Sequence, residues 1–102
     1  MSIAATEKQG TVLIVRPEGR LDTLRAPQLE QELQPRLEGV SQVMMDFSNV
    51  LYISSGGLRL LLCLEQTMED RGGEVQVTHA NEAVLNILDM AGFMDIVRVV
   101  TE

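Results

Sequence analysis

The sequence predicts an α/β domain whose sheet is mostly parallel. Short apolar runs rich in β-branched residues alternate along the chain with longer segments in which leucines recur every three or four residues. Glycine and proline separate the two kinds of segment, and no repeat or low-complexity stretch interrupts them. This alternation is typical of parallel strands covered by helices. With 102 residues, the chain is expected to form a single domain over residues 1–102.

About five strands are expected. Ile3 to Thr6 is a weak first strand, and Lys8-Gln9-Gly10 predicts a turn into a second strand at Thr11 to Val15, so that the two form a hairpin. Val43 to Phe47 is apolar almost throughout, which predicts a central strand covered on both faces. The last two strands are expected at Glu74 to Thr78 and Ile96 to Val100.

Three to four helices are expected to pack on this sheet. Pro27 suits a first helical turn, and the leucines that follow recur on one face. These leucines are Leu29, Leu33 and Leu37. Pro35 lies between the last two, so it must kink this helix or end it early.

The second helix is expected over the leucine-rich run that begins at Leu58. Its apolar side chains cover an arc of about 200°, wider than the roughly 100° that a core-facing stripe needs, so they face either two buried neighbours or a partner. Asn81 is expected to cap a third helix that Gly92 ends in the left-handed conformation. The inner face of that helix is predicted to hold Val84, Leu88 and Ala91.

Composition narrows the classes of partner and site. A formal charge of −7 repels nucleic acid and anionic membranes, so a protein partner is expected. One cysteine and one histidine predict neither a disulfide framework nor a metal site, and no cofactor is expected. No apolar run approaches the roughly 20 residues that span a bilayer, and the N-terminus lacks a basic region and a long apolar core. A cytoplasmic location is therefore expected.

The stretch YISSGGLRLLL, from Tyr52 to Leu62, is expected to join the third strand to the second helix. Ligands of open α/β sheets bind beyond the carboxyl ends of the strands, which draws attention to Ser55. A serine at a helix start can accept a backbone hydrogen bond, and Gly56 and Gly57 leave the N–H groups of the first turn unobstructed. A phosphoryl group on Ser55 would therefore be tolerated without breaking the fold.

Three other interpretations of this stretch stay open at this point. Serine and glycine are common at helix starts, so SSGG is also typical of an ordinary strand-to-helix connection without a regulatory role. A serine hydrolase would need a Gly-x-Ser-x-Gly elbow, but Ile53 stands at the first glycine position and His79 is the only histidine. A small-anion or nucleotide-binding module could use the same N–H groups, although SSGGLR lacks the lysine of a P-loop.

Three segments occur in the order and spacing of the bacterial STAS domain, specifically of the anti-sigma factor antagonists: GRLD (Gly19 to Asp22), DFSNVLYISSGGLRLLL (Asp46 to Leu62) and NILDMAGFMDIVRV (Asn86 to Val99). The resemblance covers nearly the whole chain and implies the STAS fold. In that family the serine before a small residue and Gly-Leu is phosphorylated. The resemblance implies that this serine is Ser55, followed by Gly56 as the small residue and by Gly57-Leu58.

The resemblance also implies a partner switch without enzymatic activity. The unphosphorylated antagonist would bind an anti-sigma factor that is itself a serine kinase of the histidine-kinase ATPase type, and so release the sigma factor or another regulated target. Phosphorylation by that kinase would end the complex, a metal-dependent serine phosphatase would reset it, and the antagonist is expected to be a monomer.

Partner-binding roles are implied for residues on both sides of the acceptor serine. Asp22 matches a family aspartate that contributes to partner recognition, although from sequence alone it also suits the cap of a turn. Ser54 replaces the aspartate of the founding sporulation members and is a second candidate acceptor. Arg59, in the first helical turn, suits either an acidic group of the partner or plain solvation, and Ser55 through Leu58 complete the expected surface.

Overall fold

The computed structural model describes residues 4–100, and over this range six strands form one mixed sheet. The strands are β1 (Ala4–Gln9), β2 (Val12–Leu21), β3 (Gln42–Asp46), β4 (Asn49–Ile53), β5 (Glu74–Thr78) and β6 (Arg98–Val99). The helices are α1 (Arg25–Leu33), α2 (Ser55–Asp70) and α3 (Glu82–Met90), with short 3-10 helices at Gln34–Arg36 and Phe93–Asp95. The predicted α/β class is confirmed.

The sheet has the order β1-β2-β3-β5-β6, and β4 pairs with β2. Only β1 and β2 are antiparallel, as the predicted hairpin requires, whereas the other pairs are parallel. The first half of β2 pairs with β3, and its second half pairs with β4, so that Leu21 lies opposite Ile53. The chain therefore leaves β2 and β4 at the same edge of the sheet.

The hairpin is longer than predicted. Ile3 lies outside the described residues, and the turn falls at Gly10 and Thr11, since Lys8 and Gln9 are still paired with β2. β2 also continues past Val15 to Leu21, through the Pro-Glu-Gly segment that suggests a turn. Proline is tolerated at position 17 because it lies between the segment bonded to β3 and the segment bonded to β4.

β4 is a strand that the sequence patterns did not predict. It separates β3 from α2, so the YISSGGLRLLL stretch begins in the last two residues of β4 and joins β4, not β3, to α2. β3 and β5 agree in position with expectation to within one residue, and β3 is central. The expected covering of both faces of β3 is incomplete on its outer face, where Gln42, Met44 and Asp46 are only half-buried. The inward side chains of both strands are fully buried: Val43, Met45, Val75 and Val77. Burial of each such side chain stabilises the fold by roughly 1.5–3 kcal/mol.

The helices bury the predicted faces with one exception. α1 ends at Leu33, two residues before Pro35, and the three predicted leucines of this segment are buried. α2 buries four side chains between its neighbours, namely Leu60, Leu61, Leu64 and Met68, so most of its wide apolar arc is core. Ala91 is exposed, because α3 ends at Met90 and Gly92 then turns the chain with a φ of 78°. Within residues 4–100, no helix is long and apolar enough to cross a membrane.

Candidate functional site

The site forms where the loop after β2 meets the start of α2. The N–H of Ser54 donates to the carbonyl of Leu21 at 3.0 Å, which extends the pairing of β4 with β2 by one step. The Asp22–Thr23 segment then passes directly over the first turn of α2. Parallel pairing of β2 and β4 therefore brings Asp22 and Ser55, which are far apart in the sequence, to one edge of the sheet.

Two glycines permit this close approach. A Cβ atom on Gly56 would lie 2.6 Å from the Cα of Thr23, and one on Gly57 would lie 2.5 Å from Cγ1 of Ile53 and 2.7 Å from the carbonyl oxygen of Leu21. Contacts this short do not occur between real Cβ atoms and their neighbours. Gly57 is itself buried, whereas Gly56 is half-buried. The glycine pair is therefore required by packing, quite apart from any ligand.

The two serines have different structural roles. Ser54 is the N-cap of α2, and its Oγ accepts a hydrogen bond from the N–H of Gly56 at 3.3 Å and donates to the carbonyl of Leu21 at 3.4 Å. Ser55 is the first residue of the helix and is exposed. No residue between 4 and 100 forms a hydrogen bond with its hydroxyl. The capping role that sequence reasoning considered for Ser55 thus belongs to Ser54, and the Ser55 hydroxyl faces solvent.

Asp22 orders the turn that leads into α1. Its Oδ1 accepts hydrogen bonds from the N–H groups of Arg25 at 2.9 Å and Leu24 at 3.1 Å. The hydrogen bond from Arg25, together with that from Leu24, lowers the pKa of Asp22 below the usual range, although slight desolvation opposes the shift. Asp22 is therefore ionised at neutral pH and caps the turn, as one of its two expected roles requires.

A groove of about 270 Å³ separates the starts of α1 and α2. Its lining consists of Thr23, Ala26, Pro27 and Glu30 from the side of α1 and Ser55, Gly56, Arg59 and Leu60 from α2. Ser55 and Arg59 are four residues apart on α2 and therefore lie on the same helical face. Glu30 is the acidic residue of the opposite wall, so the groove contains one carboxylate, one guanidinium and the hydroxyls of Thr23 and Ser55.

Exposed apolar side chains lie in the loop that leads into α1 and on β4, the strand before α2. Leu24, in the loop after Asp22, is 72% exposed, and Leu51 of β4 is 70% exposed. Beside Leu51, Tyr52 carries the guanidinium of Arg20 at 4.8 Å from its ring centre. Sequence reasoning missed these residues because an isolated leucine outside a helical or alternating pattern gives no sign of its exposure. Leu58, which it included, is half-buried against the core.

A second polar cluster lies at the ends of β3 and β5. His79 Nδ1 lies 3.1 Å from Thr78 Oγ1 and 3.4 Å from Asp46 Oδ1, and the Arg16 guanidinium lies 3.5 Å from the same carboxylate. Partial burial opposes ionisation of Asp46, yet hydrogen bonds from Ser48 and the two basic groups hold its pKa below the usual range. No hydrogen bond within residues 4–100 joins His79 to Ser55. Among these residues there is also no cluster of three or more metal-ligating side chains.

Comparison with known proteins identifies the family of the chain. The model of the STAS domain matches residues 3–102 of the chain. A relative from Bordetella bronchiseptica, assigned as the anti-sigma factor antagonist BtrV, is 30% identical over 91 residues, which cover 88% of this chain and 78% of the relative. The anti-sigma-B factor antagonist of Staphylococcus epidermidis is 29% identical over 86 residues, covering 83% of this chain and 80% of that protein.

Solved structures have the same fold. The anti-sigma factor antagonist SpoIIAA in its unphosphorylated form has a TM-score of 0.84 and 18% identity over 97% of this chain and 89% of that one. SpoIIAA of Bacillus in its phosphorylated form has a TM-score of 0.74 and 17% identity over 97% of this chain and 92% of that one. The two relatives from Bordetella and Staphylococcus carry names of anti-sigma factor antagonists, and the chain itself belongs to the STAS domain family, as its sequence motifs predict.

Proposed function

We propose that this protein is an anti-sigma factor antagonist switched by phosphorylation of Ser55. In its unphosphorylated form it binds an anti-sigma factor that is also a serine kinase of the histidine-kinase ATPase type, which frees the sigma factor. Phosphorylation by that kinase ends the complex, and a metal-dependent serine phosphatase restores it. The protein is thus a substrate and ligand of the kinase and has no catalytic residues of its own.

The observation that carries this proposal is the contrast between the two serines. The Ser54 hydroxyl is engaged as the cap of α2, and a phosphoryl group there would remove the proton that this hydroxyl donates to the carbonyl of Leu21. The Ser55 hydroxyl is exposed and bonded to no described residue, so a kinase can reach it and its phosphorylation breaks no observed contact. Ser55 is therefore the preferred acceptor, as the family motif implies.

The direction of the switch follows from electrostatics. A phosphoryl group adds about −1.5 to −2 charge at neutral pH and must be desolvated if a partner covers it. A buried charge without a counter-ion is costly at an interface. Leu24, next to the groove residue Thr23, and Leu51 of β4 have exposed side chains, which suit an apolar contact with a partner. We therefore assign partner binding to these leucines and to the surface around Ser55, together with Asp22 and Arg59.

Relatives support the same proposal. The proteins from Bordetella and Staphylococcus are named for antagonism of anti-sigma factors, and SpoIIAA has been solved both with and without phosphorylation. A small-anion or nucleotide-binding module is less well supported, because the carboxylate of Glu30 lines the groove and the N–H of Gly56 is already bonded to Ser54.

The proposal is tested by a comparison of immobilised proteins in a lysate of the native host. Wild type and Ser55→Ala are expected to retain an ATPase-type serine kinase that mass spectrometry identifies, whereas Ser55→Asp loses it. Ser54→Asp is the matched control, because it adds the same charge one residue away. If no such kinase is retained, or if the Ser55→Asp protein retains it as well as wild type does, partner switching at Ser55 is wrong.

A further inference from the structure

Arg59 is a charged residue of the groove whose guanidinium has no partner in the described part of the chain. It lies four residues after Ser55 on α2, is exposed, and forms no ion pair or hydrogen bond with any residue between 4 and 100. Arg16, Arg20, Arg71 and Arg98 each contact a carboxylate, a carbonyl or an aromatic ring. Within the same range, Arg25 and Arg36 also lack such a contact, but neither lines the groove. The guanidinium of Arg59 is thus free for a group that the unmodified chain does not contain.

Glu30 is the charged residue on the α1 wall of the same groove. It is half-buried in the groove and forms no ion pair within 4.0 Å in the described part of the chain. Because Arg59 and Glu30 line the same groove without pairing, their charges balance across it while both remain available. A dianion introduced at Ser55 would be attracted by one wall and repelled by the other.

We propose that Arg59 holds the phosphoryl group of phosphorylated Ser55, and that Glu30 directs this group toward Arg59 and away from α1. The inference rests on the proposed function, since it concerns the phosphorylated form of the same serine. On a helix, side chains four residues apart are neighbours, and an acidic group N-terminal to a basic one is the favourable orientation. Guanidinium binds phosphate oxygens through paired hydrogen bonds, which an ammonium cannot reproduce.

This pairing gives phosphorylation two effects on the surface offered to the partner. It adds negative charge at Ser55, and it withdraws the cation of Arg59 from any acidic group of the anti-sigma factor. The combined charge of Ser55, Arg59 and Glu30 changes from zero to about −2 in the dianionic form. Arg59 is thus a positioning residue for the phosphorylated state and a contact residue for the unphosphorylated one.

The test is a titration of phosphoserine by ³¹P NMR. Phosphoserine is installed at position 55 during translation, so that no kinase is needed, and its second pKa, near 6 in a free side chain, is measured at 0.15 M salt. We expect the Arg59→Ala change to raise this pKa by about 0.3 to 0.7. Arg59→Lys should restore only part of the difference, and Glu30→Gln should lower the pKa.

Arg36→Ala is the matched control, because it removes the same charge from an exposed position beyond the far end of α1. If Arg59→Ala changes the pKa no more than Arg36→Ala does, the role of Arg59 is wrong. If Glu30→Gln leaves the pKa unchanged or raises it, the role of Glu30 is wrong. Capture of the kinase by the unmodified and phosphorylated proteins is measured separately. A phosphorylated protein that still binds the kinase therefore contradicts the proposed function without affecting the titration.

Discussion

Helices α2 and α3 both begin with a polar N-cap residue, but the hydrogen bonds that the two side chains form differ in length. The Asn81 side chain accepts from the N–H of Val84 at 2.8 Å and donates to the carbonyl of Val50 at 3.1 Å. The Ser54 cap is longer, at 3.3 Å to the N–H of Gly56. The start of α3 is therefore held by shorter hydrogen bonds than that of α2, although each cap also donates to a carbonyl of a neighbouring strand, Val50 of β4 or Leu21 of β2.

The first turns of the two helices also differ in charge and in the residue at their third position. α3 begins with Glu82, whose carboxylate offsets the positive end of the helix dipole, and its third residue, Val84, is buried in the core. α2 begins with the neutral Ser55 and has no acidic residue in its first turn, and its third residue is Gly57. The start of α3 therefore already has its negative charge and its core contact, whereas the start of α2 can accept one added negative charge.

The largest expected effect comes from filling the space that Gly57 leaves. Gly57→Ala places a methyl group against Ile53 and the carbonyl of Leu21, so β4 or the β2 loop must move. We expect the free energy of unfolding to fall by about 2–4 kcal/mol in urea titrations. Gly72→Ala is a useful control, because its positive φ imposes strain but no atom lies within 4 Å of the added methyl. A Gly57→Ala loss no greater than that of Gly72→Ala would contradict this role for Gly57.

The two caps should differ in their contribution to stability. Asn81→Ala removes both an accepted and a donated hydrogen bond and leaves the carbonyl of Val50 without its side-chain partner, so we expect a loss of about 1–2 kcal/mol. Ser54→Ala removes two longer hydrogen bonds and should cost about 0.5–1 kcal/mol. Thermal and urea unfolding of both variants measure the difference. A larger loss for Ser54→Ala would reverse the comparison of the two helix starts.

The start of α1 adds a pH-dependent contribution. Backbone hydrogen bonds hold the pKa of Asp22 in the folded protein below its ordinary value of 3.8, so this carboxylate stabilises the fold above pH 3.8. The stabilisation is lost as the pH falls from 3.8 through the lower pKa of the folded state. Asp22→Asn keeps a capping oxygen but does not titrate, so the stability of this variant should fall less steeply over that range. Equal slopes for the two proteins would contradict the assignment.

The smallest expected effect on stability is that of Ser55→Ala. Its hydroxyl bonds to no described residue and is exposed, so the free energy of unfolding should change by less than about 0.5 kcal/mol. The same change should abolish phosphorylation by the kinase, as followed by intact-mass spectrometry, while Ser54→Ala leaves it in place. Phosphorylation of the Ser55→Ala protein to the wild-type extent would assign the acceptor to Ser54.

Regular patterns made most of the fold predictable from the sequence. β3 and β5 alternate or run continuously with β-branched and apolar residues, and the caps at Asn81 and Gly92 follow from local backbone chemistry. β4 was missed because its pairing partner is the second half of β2, which contains Pro17 and Gly19 and does not read as a strand. Long-range pairing therefore extends the second half of β2, whereas β4 also contains the strand-favouring residues Val50, Tyr52 and Ile53.

The candidate site was predictable only in part, for a related reason. Its hydroxyls and glycines are contiguous in the sequence, so the motif identifies them. The different roles of Ser54 and Ser55 depend on a contact with Leu21, and the approach of Glu30 depends on the packing of α1 against α2. Neither contact leaves a local pattern. These features become visible only when the helices are in place.

The most direct test of the switch is to measure how tightly the kinase retained from the host lysate binds two forms of this protein. Unmodified protein and protein with phosphoserine installed at position 55 are titrated calorimetrically into the kinase held with a non-hydrolysable ATP analogue. We expect phosphorylation to raise the Kd of the complex with the kinase by about 100-fold or more, while the near-ultraviolet circular dichroism of this protein stays unchanged. Dissociation constants within about threefold of each other would contradict the claim that Ser55 is the switch.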